Sequence, residues 1–352
     1  MTDCANHLQE DLETIKAHSD LSVLLLVIIL TLILVPKLHK TAISRKEIAF
    51  DHTFNLSLIT WPNLTRPNVS TNAELSKFGP LEMKISVGQQ RTLEILLEVF
   101  KKAMADINLE GLWFVDSGTL LGSIRHHDLI PWDDDADIRL DVKYRPVVQA
   151  ALKKLAPKFL TYKGAGHDKL FFAPFNASTN VTPKSIGSHA FVKHPWAWPF
   201  IDILYYEEYQ PHKFKNYRDY PIRYAQSDIF PLIYRPFGKQ WLPSPRRPIS
   251  YLKAHYGNKE QGCKSHRFLH ATESGAKVVV EDCANLLDKY PFVHRCRVPK
   301  RERRKQHSEL CDEYLVNGSG QVIHKIHLPL DADECKSPFY TARHKSFRCP
   351  WY

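Results

Sequence analysis

Residues 112–140 read LWFVDSGTLLGSIRHHDLIPWDDDADIRL, and no other stretch limits the possible fold as tightly. Four carboxylates in five positions (Asp133, Asp134, Asp135, Asp137) stand between Ile130-Pro131-Trp132 and Ile138. Apolar flanks of this kind belong in a core rather than a solvated loop. Residues 112–115 predict an apolar strand, Ser117-Gly118-Thr119 a sharp turn, and Leu120, Leu121 and Ile124 a short helix. A second strand is expected to start near Trp132. On such a strand Asp133, Asp135 and Asp137 share one face, because side chains alternate with period two. Three carboxylates on one face repel one another and keep protons unless a cation neutralises them. All-oxygen donors suit a hard divalent ion, Mg2+ or Mn2+. The competing explanation is a solvated acidic turn.

The run Ser117-Gly118-Thr119-Leu120-Leu121-Gly122-Ser123-Ile124-Arg125-His126, followed by Ile130-Pro131-Trp132-Asp133-Asp134-Asp135-Ala136-Asp137, resembles the signature of the LicD family. That family includes bacterial phosphocholine transferases, fukutin and the fukutin-related protein. A second resembling block runs from Ile229-Phe230-Pro231-Leu232 through Pro236-Phe237-Gly238 and Pro243-Ser244-Pro245 to Tyr251-Leu252 and Tyr256-Gly257. The resemblance implies an α/β (α+β) nucleotidyltransferase-like mixed sheet with flanking helices over residues 86–258. It also implies a CDP-linked donor, CDP-choline or CDP-ribitol, and a glycan or glycoprotein acceptor. A third carboxylate is then expected from a strand beside the acidic one.

Asp202 fits that third place. It sits in Pro199-Phe200-Ile201-Asp202-Ile203-Leu204-Tyr205-Tyr206, a buried strand where an ionised carboxylate is costly without a partner. The metal set expected is therefore Asp135, Asp137 and Asp202, with Asp133 as a further catalytic carboxylate that takes the acceptor's proton. Asp134, between the outer aspartates, departs from some relatives and leaves the individual ligand assignment open. Gly118 lets backbone N–H groups approach a phosphate at a helix start, or serves only a turn that needs a positive φ. Ser117 and Thr119 offer hydroxyl donors to the same phosphates, and Asp116 is expected to cap the helix. Arg125 either clamps phosphate or pairs with the aspartates. Lys169, on a strand expected at 168–172, is another candidate for phosphate. His126 and His127 are weak acid–base candidates in a chain with 18 histidines.

The rest of the chain supplies the setting. Leu93, Leu96, Leu97, Phe100, Ala103, Met104 and Ile107 recur at helical steps, predicting an amphipathic helix that packs on the strand at 112–115. Residues 21–35 form a fifteen-residue stretch without charge, closed by Pro36 and lacking a basic leader or cleavage site. This predicts an uncleaved signal anchor at 21–36 behind a tail at 1–20. Residues 37–85 read as a stem, and 259–352 as a cysteine-containing extension. Lys37, Lys40, Arg45 and Lys46 argue that the chain beyond the anchor lies in the cytosol. Against this, glycosylation sequons begin at Asn55, Asn63, Asn68, Asn176, Asn180 and Asn317, all after the anchor. Six of the seven cysteines (Cys263, Cys283, Cys296, Cys311, Cys335, Cys349) also lie after it, an even set that reads as disulfides. The expectation is a type II protein of the Golgi or endoplasmic reticulum, held by one transmembrane helix. Cys263, His266 and His270 also suggest zinc, but disulfides are the preferred use of such cysteines.

A net charge of +10 owes much to Arg295, Arg297, Lys300, Arg301, Arg303, Arg304 and Lys305. In a lumenal chain this excludes nucleic acid and reads as a solvated basic face or an attraction for acidic glycans. The leading expectation is a Mg2+-dependent transferase of phosphocholine or ribitol 5-phosphate from a CDP donor to a glycan. Its rivals are a catalytically silent lumenal glycan-binding scaffold and a transferase of the same fold using another nucleotide donor.

Overall fold

Ser86 opens the helix over residues 87–106 with a capping box. Its hydroxyl accepts from Gln89 N–H at 3.2 Å, while Gln89 Oε1 accepts from Ser86 N–H at 2.7 Å. The helix it starts, α1 (Val87–Asp106), buries Leu93, Leu96, Leu97, Phe100 and Met104 on one side. Phe100 meets Trp113 edge-on at 5.1 Å, so α1 covers the neighbouring strand as its periodicity predicts.

In chain order come β1 (Trp113–Val115), α2 (Ser117–His126), β2 (Ala136–Asp141), α3 (Arg145–Lys153), β3 (Phe159–Lys163) and β4 (Asp168–Phe172). The short pair β5 (His189–Ala190) and β6 (Ala197–Trp198) precedes the long β7 (Phe200–Gln210), β8 (Lys213–Asn216) and β9 (Arg223–Ala225). Next are α4 (Gln226–Ile229), the hairpin β10 (Ile233–Phe237) with β11 (Gln240–Ser244), and α5 (Pro248–Tyr256). Small ribbons pair β12 (Cys263–Lys264) with β15 (Val280–Glu281), and β13 (Phe268–Leu269) with β14 (Ser274–Gly275). A three-stranded sheet of β16 (Phe292–Arg297), β17 (Cys311–Val316) and β18 (Val322–Leu328), then α6 (Ala332–Lys336), complete the elements.

This computed structural model describes residues 55–61, 64, 66, 78–174, 189–191, 193–218, 222–257, 262–299, 311–339, 342 and 344–350. The expected anchor at 21–36, the sequons at Asn63, Asn68, Asn176 and Asn180, and the basic residues 300–305 lie outside them. No helix among the described residues is long and apolar enough to cross a membrane. The described residues on both sides of position 258 fall in one compact unit, Glu47–Tyr352.

The principal sheet runs β1-β2-β7-β4-β3, with β8 and β9 extending from β7. It is mixed, as expected: β2 and β7 are parallel, whereas β1–β2, β4–β7 and β3–β4 are antiparallel. Fully buried Phe114, Ile138, Leu140, Ile201, Ile203 and Tyr205 line it, and the polar side chains its strands bury, such as Arg139 and Asp168, are paired. The expected strand start is displaced. Asp133 N–H donates to Ile130 C=O at 2.9 Å, closing a turn through Pro131, and β2 begins only at Ala136. Asp137 is thus on the strand, while Asp133, Asp134 and Asp135 precede it, and period two does not govern them.

All six downstream cysteines pair, as Cys263–Cys283, Cys296–Cys349 and Cys311–Cys335. The first sits with Trp132 and Phe292 in a cluster that joins the C-terminal elements to the acidic loop. Arg295 is not on a solvated face; it donates to the carbonyls of Ser337 and Phe339.

Candidate functional site

The parallel pairing of β2 with β7 sets Asp137 opposite Asp202. Residues directly opposed in a parallel pair point to the same face, so two carboxylates meet near the N-terminal ends of adjacent strands. β1 runs antiparallel to β2 and ends beside the same spot, where Asp116 N–H donates to Asp137 C=O at 3.0 Å. The chain then turns into α2, whose Thr119 hydroxyl accepts from Asp137 N–H at 2.7 Å. Unpaired N–H groups at the N-terminus of α2 therefore open next to the carboxylates, an arrangement suited to phosphate.

Gly118 owes its place to closeness. A Cβ there would fall 2.5 Å from Asp133 Oδ2. The positive φ of this turn belongs to Ser117, at 45°. Asp133 can lie across the helix start only because position 118 has no side chain.

Two compact groups of donor atoms result. Asp135, Asp202 and His270 bring one donor each within 4.8 Å of one another, and so do Asp133, Asp134 and Asp135. Asp137 belongs to neither group among the described residues. Burial, then the charges of Asp133, Asp202 and Asp134, push the Asp135 carboxyl well above the usual range. Burial, followed by Asp135 and Asp202, does the same to Asp137. Such groups favour protons or a cation, and oxygen donors with one imidazole fit a divalent metal.

Asp134 is also held from outside the acidic loop. Its Oδ2 accepts from Ala271 N–H at 2.8 Å, and its carbonyl accepts from Trp198 Nε1 at 2.6 Å. Asp202 has a partner in Lys169, whose Nζ lies 2.7 Å from Oδ1 and 3.5 Å from the Phe200 ring centre. Lys169 is therefore paired with the carboxylate cluster.

Residues 112–247 match the family model described as LicD/FKTN/FKRP, nucleotidyltransferase domain. This segment is a LicD-type nucleotidyltransferase domain. Two uncharacterised rickettsial proteins are similar to the chain over nearly the same length. The one from Rickettsia typhi is 27% identical over 146 residues, covering 41% of this chain and 39% of its own. The one from Rickettsia prowazekii is 26% identical over 147 residues, covering 41% and 47%. The chain thus spans less than half the length of either relative.

Within the LicD-type domain, Thr119 contacts Asp137, Gly118 adjoins Asp133, and Asp137 stands opposite Asp202. Arg125 does not join them: it is buried at the far end of α2 and donates to Gly262 C=O at 2.9 Å. Asp116 occupies the N-cap position of α2 without capping it. Instead it holds Arg139 Nε at 2.6 Å and the Tyr251 hydroxyl at 2.8 Å, and those two partners outcompete a backbone N–H. His126 donates its Nδ1 proton to Pro291 C=O at 2.7 Å, and burial lowers its pKa to about 3. His127 lies between Glu313 and His324, at 2.8 and 2.7 Å. Neither histidine faces the aspartates.

Two other histidines do. His266 Nε2 lies 3.1 Å from Asp133 Oδ1, and His270 Nε2 lies 3.2 Å from Asp135 Oδ2. Both come from outside the LicD-type domain, on the stretch tied by Cys263–Cys283. The sequence signal was their i, i+4 spacing beside a cysteine, which points to zinc or disulfide chemistry before it points to the aspartates.

Proposed function

We propose that the protein is a divalent-metal-dependent transferase. It moves a phospho-alcohol (phosphocholine or ribitol 5-phosphate) from a CDP-activated donor to a glycan or glycoprotein acceptor in the secretory pathway. The observation that carries this reading is the gathering of Asp135 and Asp202, with Asp137 opposite Asp202 on the parallel strand, beside the N-terminus of α2 in a LicD-type domain.

Asp135 and Asp202, with Asp137 beside them, would hold Mg2+ or Mn2+, which when bound would offset negative charge on the diphosphate and on departing CMP. The N–H groups at the start of α2, with the Ser117 and Thr119 hydroxyls, bind the phosphate oxygens and orient the donor. Asp133 accepts the proton of the acceptor hydroxyl as that oxygen bonds to phosphorus. The bond between this phosphorus and the bridging oxygen breaks, and CMP leaves with the electron pair. Lys169 limits the repulsion around Asp202 while the donor enters.

The reading places the described unit in an oxidising lumen. Three disulfides and an exposed sequon at Asn55 support that setting. A donor panel reading out free CMP tests the chemistry. Asp135→Asn and Asp137→Asn abolish metal-dependent CMP release while the protein stays folded; full activity in both ends the proposal. A glycosidase gel shift tests the compartment, and no shift overturns it.

A further inference from the structure

We propose that His270, contributed from outside the LicD-type domain, is a direct ligand of the catalytic ion and tunes the centre toward Mn2+ over Mg2+. This rests on the reading that an ion occupies the carboxylate cluster, and it adds a nitrogen donor to that ion.

Spacing carries the assignment. Adjacent donors of an octahedron with bonds of about 2.1 Å lie about 3.0 Å apart. His270 Nε2 and Asp135 Oδ2 are separated by 3.2 Å, and Asp202 brings a third donor within 4.8 Å of both.

The imidazole is held in the orientation a ligand needs. Its ring packs edge-on against Phe200 and Phe268, each at 5.3 Å. Its other nitrogen, Nδ1, faces the Glu273 carboxylate at 3.8 Å, and Trp196 Nε1 fixes Glu273 at 3.2 Å. A carboxylate behind the distal nitrogen is how proteins set the tautomer and aim of a metal-bound histidine. The backbone is anchored as well, because Ala271 N–H binds Asp134 in the acidic loop itself. His270 thus reaches the site through a built connection and not as a passing surface side chain.

Chemistry then gives the preference. An all-carboxylate site suits Mg2+, which favours oxygen donors and sheds water reluctantly. Adding imidazole favours ions that accept nitrogen more readily, and Mn2+ keeps the octahedral oxygen chemistry while doing so.

The test is pulsed electron paramagnetic resonance on the full-length protein with Mn2+, alongside titrations with Mn2+ and Mg2+. Wild type shows modulation from a directly bound nitrogen. His270→Ala loses it and binds Mn2+ about tenfold more weakly, with a smaller change for Mg2+. His266→Ala retains the nitrogen signal, and circular dichroism confirms that both variants are folded. Mn2+ bound to wild type without nitrogen coupling, or coupling that survives in His270→Ala, overturns the inference and leaves the carboxylate site intact. Failure of wild type to bind either ion overturns the metal reading beneath it.

Discussion

Asp137 on β2 and Asp202 on β7 are directly opposed across a parallel strand pair, so their carboxylates share one face of the sheet. Hydrogen bonding between strands fixes that relationship, and no side-chain rearrangement removes it. The two groups can be relieved only by protons, by Lys169 or by a cation.

Neutralising one of the pair changes what the site holds. Asp202→Asn removes a ligand and leaves Lys169 buried without its anion, so Mg2+ or Mn2+ affinity falls at least about tenfold. Breaking the buried pair also costs about 3–5 kcal/mol of stability. Isothermal titration and urea unfolding measure the two effects; unchanged metal affinity would remove Asp202 from the site.

Gly118→Ala separates closeness from backbone freedom. Its new methyl meets Asp133 Oδ2 at 2.5 Å, and φ imposes no penalty there because the positive value belongs to Ser117. Displacement of Asp133 lowers turnover about tenfold or more, since small misplacements at a reacting centre are costly. Melting temperature shifts by only a few degrees for an overpacking cost of about 1–3 kcal/mol. A variant with wild-type kcat would show that Asp133 does not act in the reaction.

Asp116→Ala distinguishes a helix cap from a buried ion pair. Loss of a cap costs about 1 kcal/mol. Loss of the anion that holds Arg139, itself bound to Asn216 and the Tyr205 carbonyl, costs about 3–5 kcal/mol. Chemical denaturation decides between them.

His126 makes stability depend on pH. Its pKa is about 3 in the folded chain against an ordinary value of 6.5, chiefly because burial disfavours the charged ring. A depressed value means that the unfolded chain binds the proton first. The contribution is fully present above pH 6.5 and is lost as pH falls toward 3, at about 1.4 kcal/mol per pH unit in that window. Urea unfolding at pH 7.5 and 5.5 shows a loss that His126→Gln reduces by about 1.4 kcal/mol. An equal loss in the variant would assign the pH dependence to other groups.

Much of this site was legible because its signals are local. The apolar run before Ser117, the glycine at 118 and the aspartates bounded by Trp132 and Ile138 describe a strand, a helix start and an acidic edge. Asp202 stood out as one carboxylate in an apolar strand, and β7 does place it beside β2. Arg125, Asp116 and Lys169 were less legible, because a charged residue near a site is equally useful to the fold. Arg125 binds a backbone carbonyl, Asp116 an arginine and Lys169 an aspartate.

The amino-acid order by itself determined the strand–turn–helix–strand unit, the mixed-sheet class and the use of six cysteines in disulfides, since periodicity, turn chemistry and parity act over short range or by count. Only the tertiary structure decided that Asp133 and Asp135 gather in a loop before β2, and that His266 and His270 close over them. Those contacts join residues more than 130 positions apart, through a disulfide-tied ribbon whose docking depends on shape and burial that no local pattern encodes.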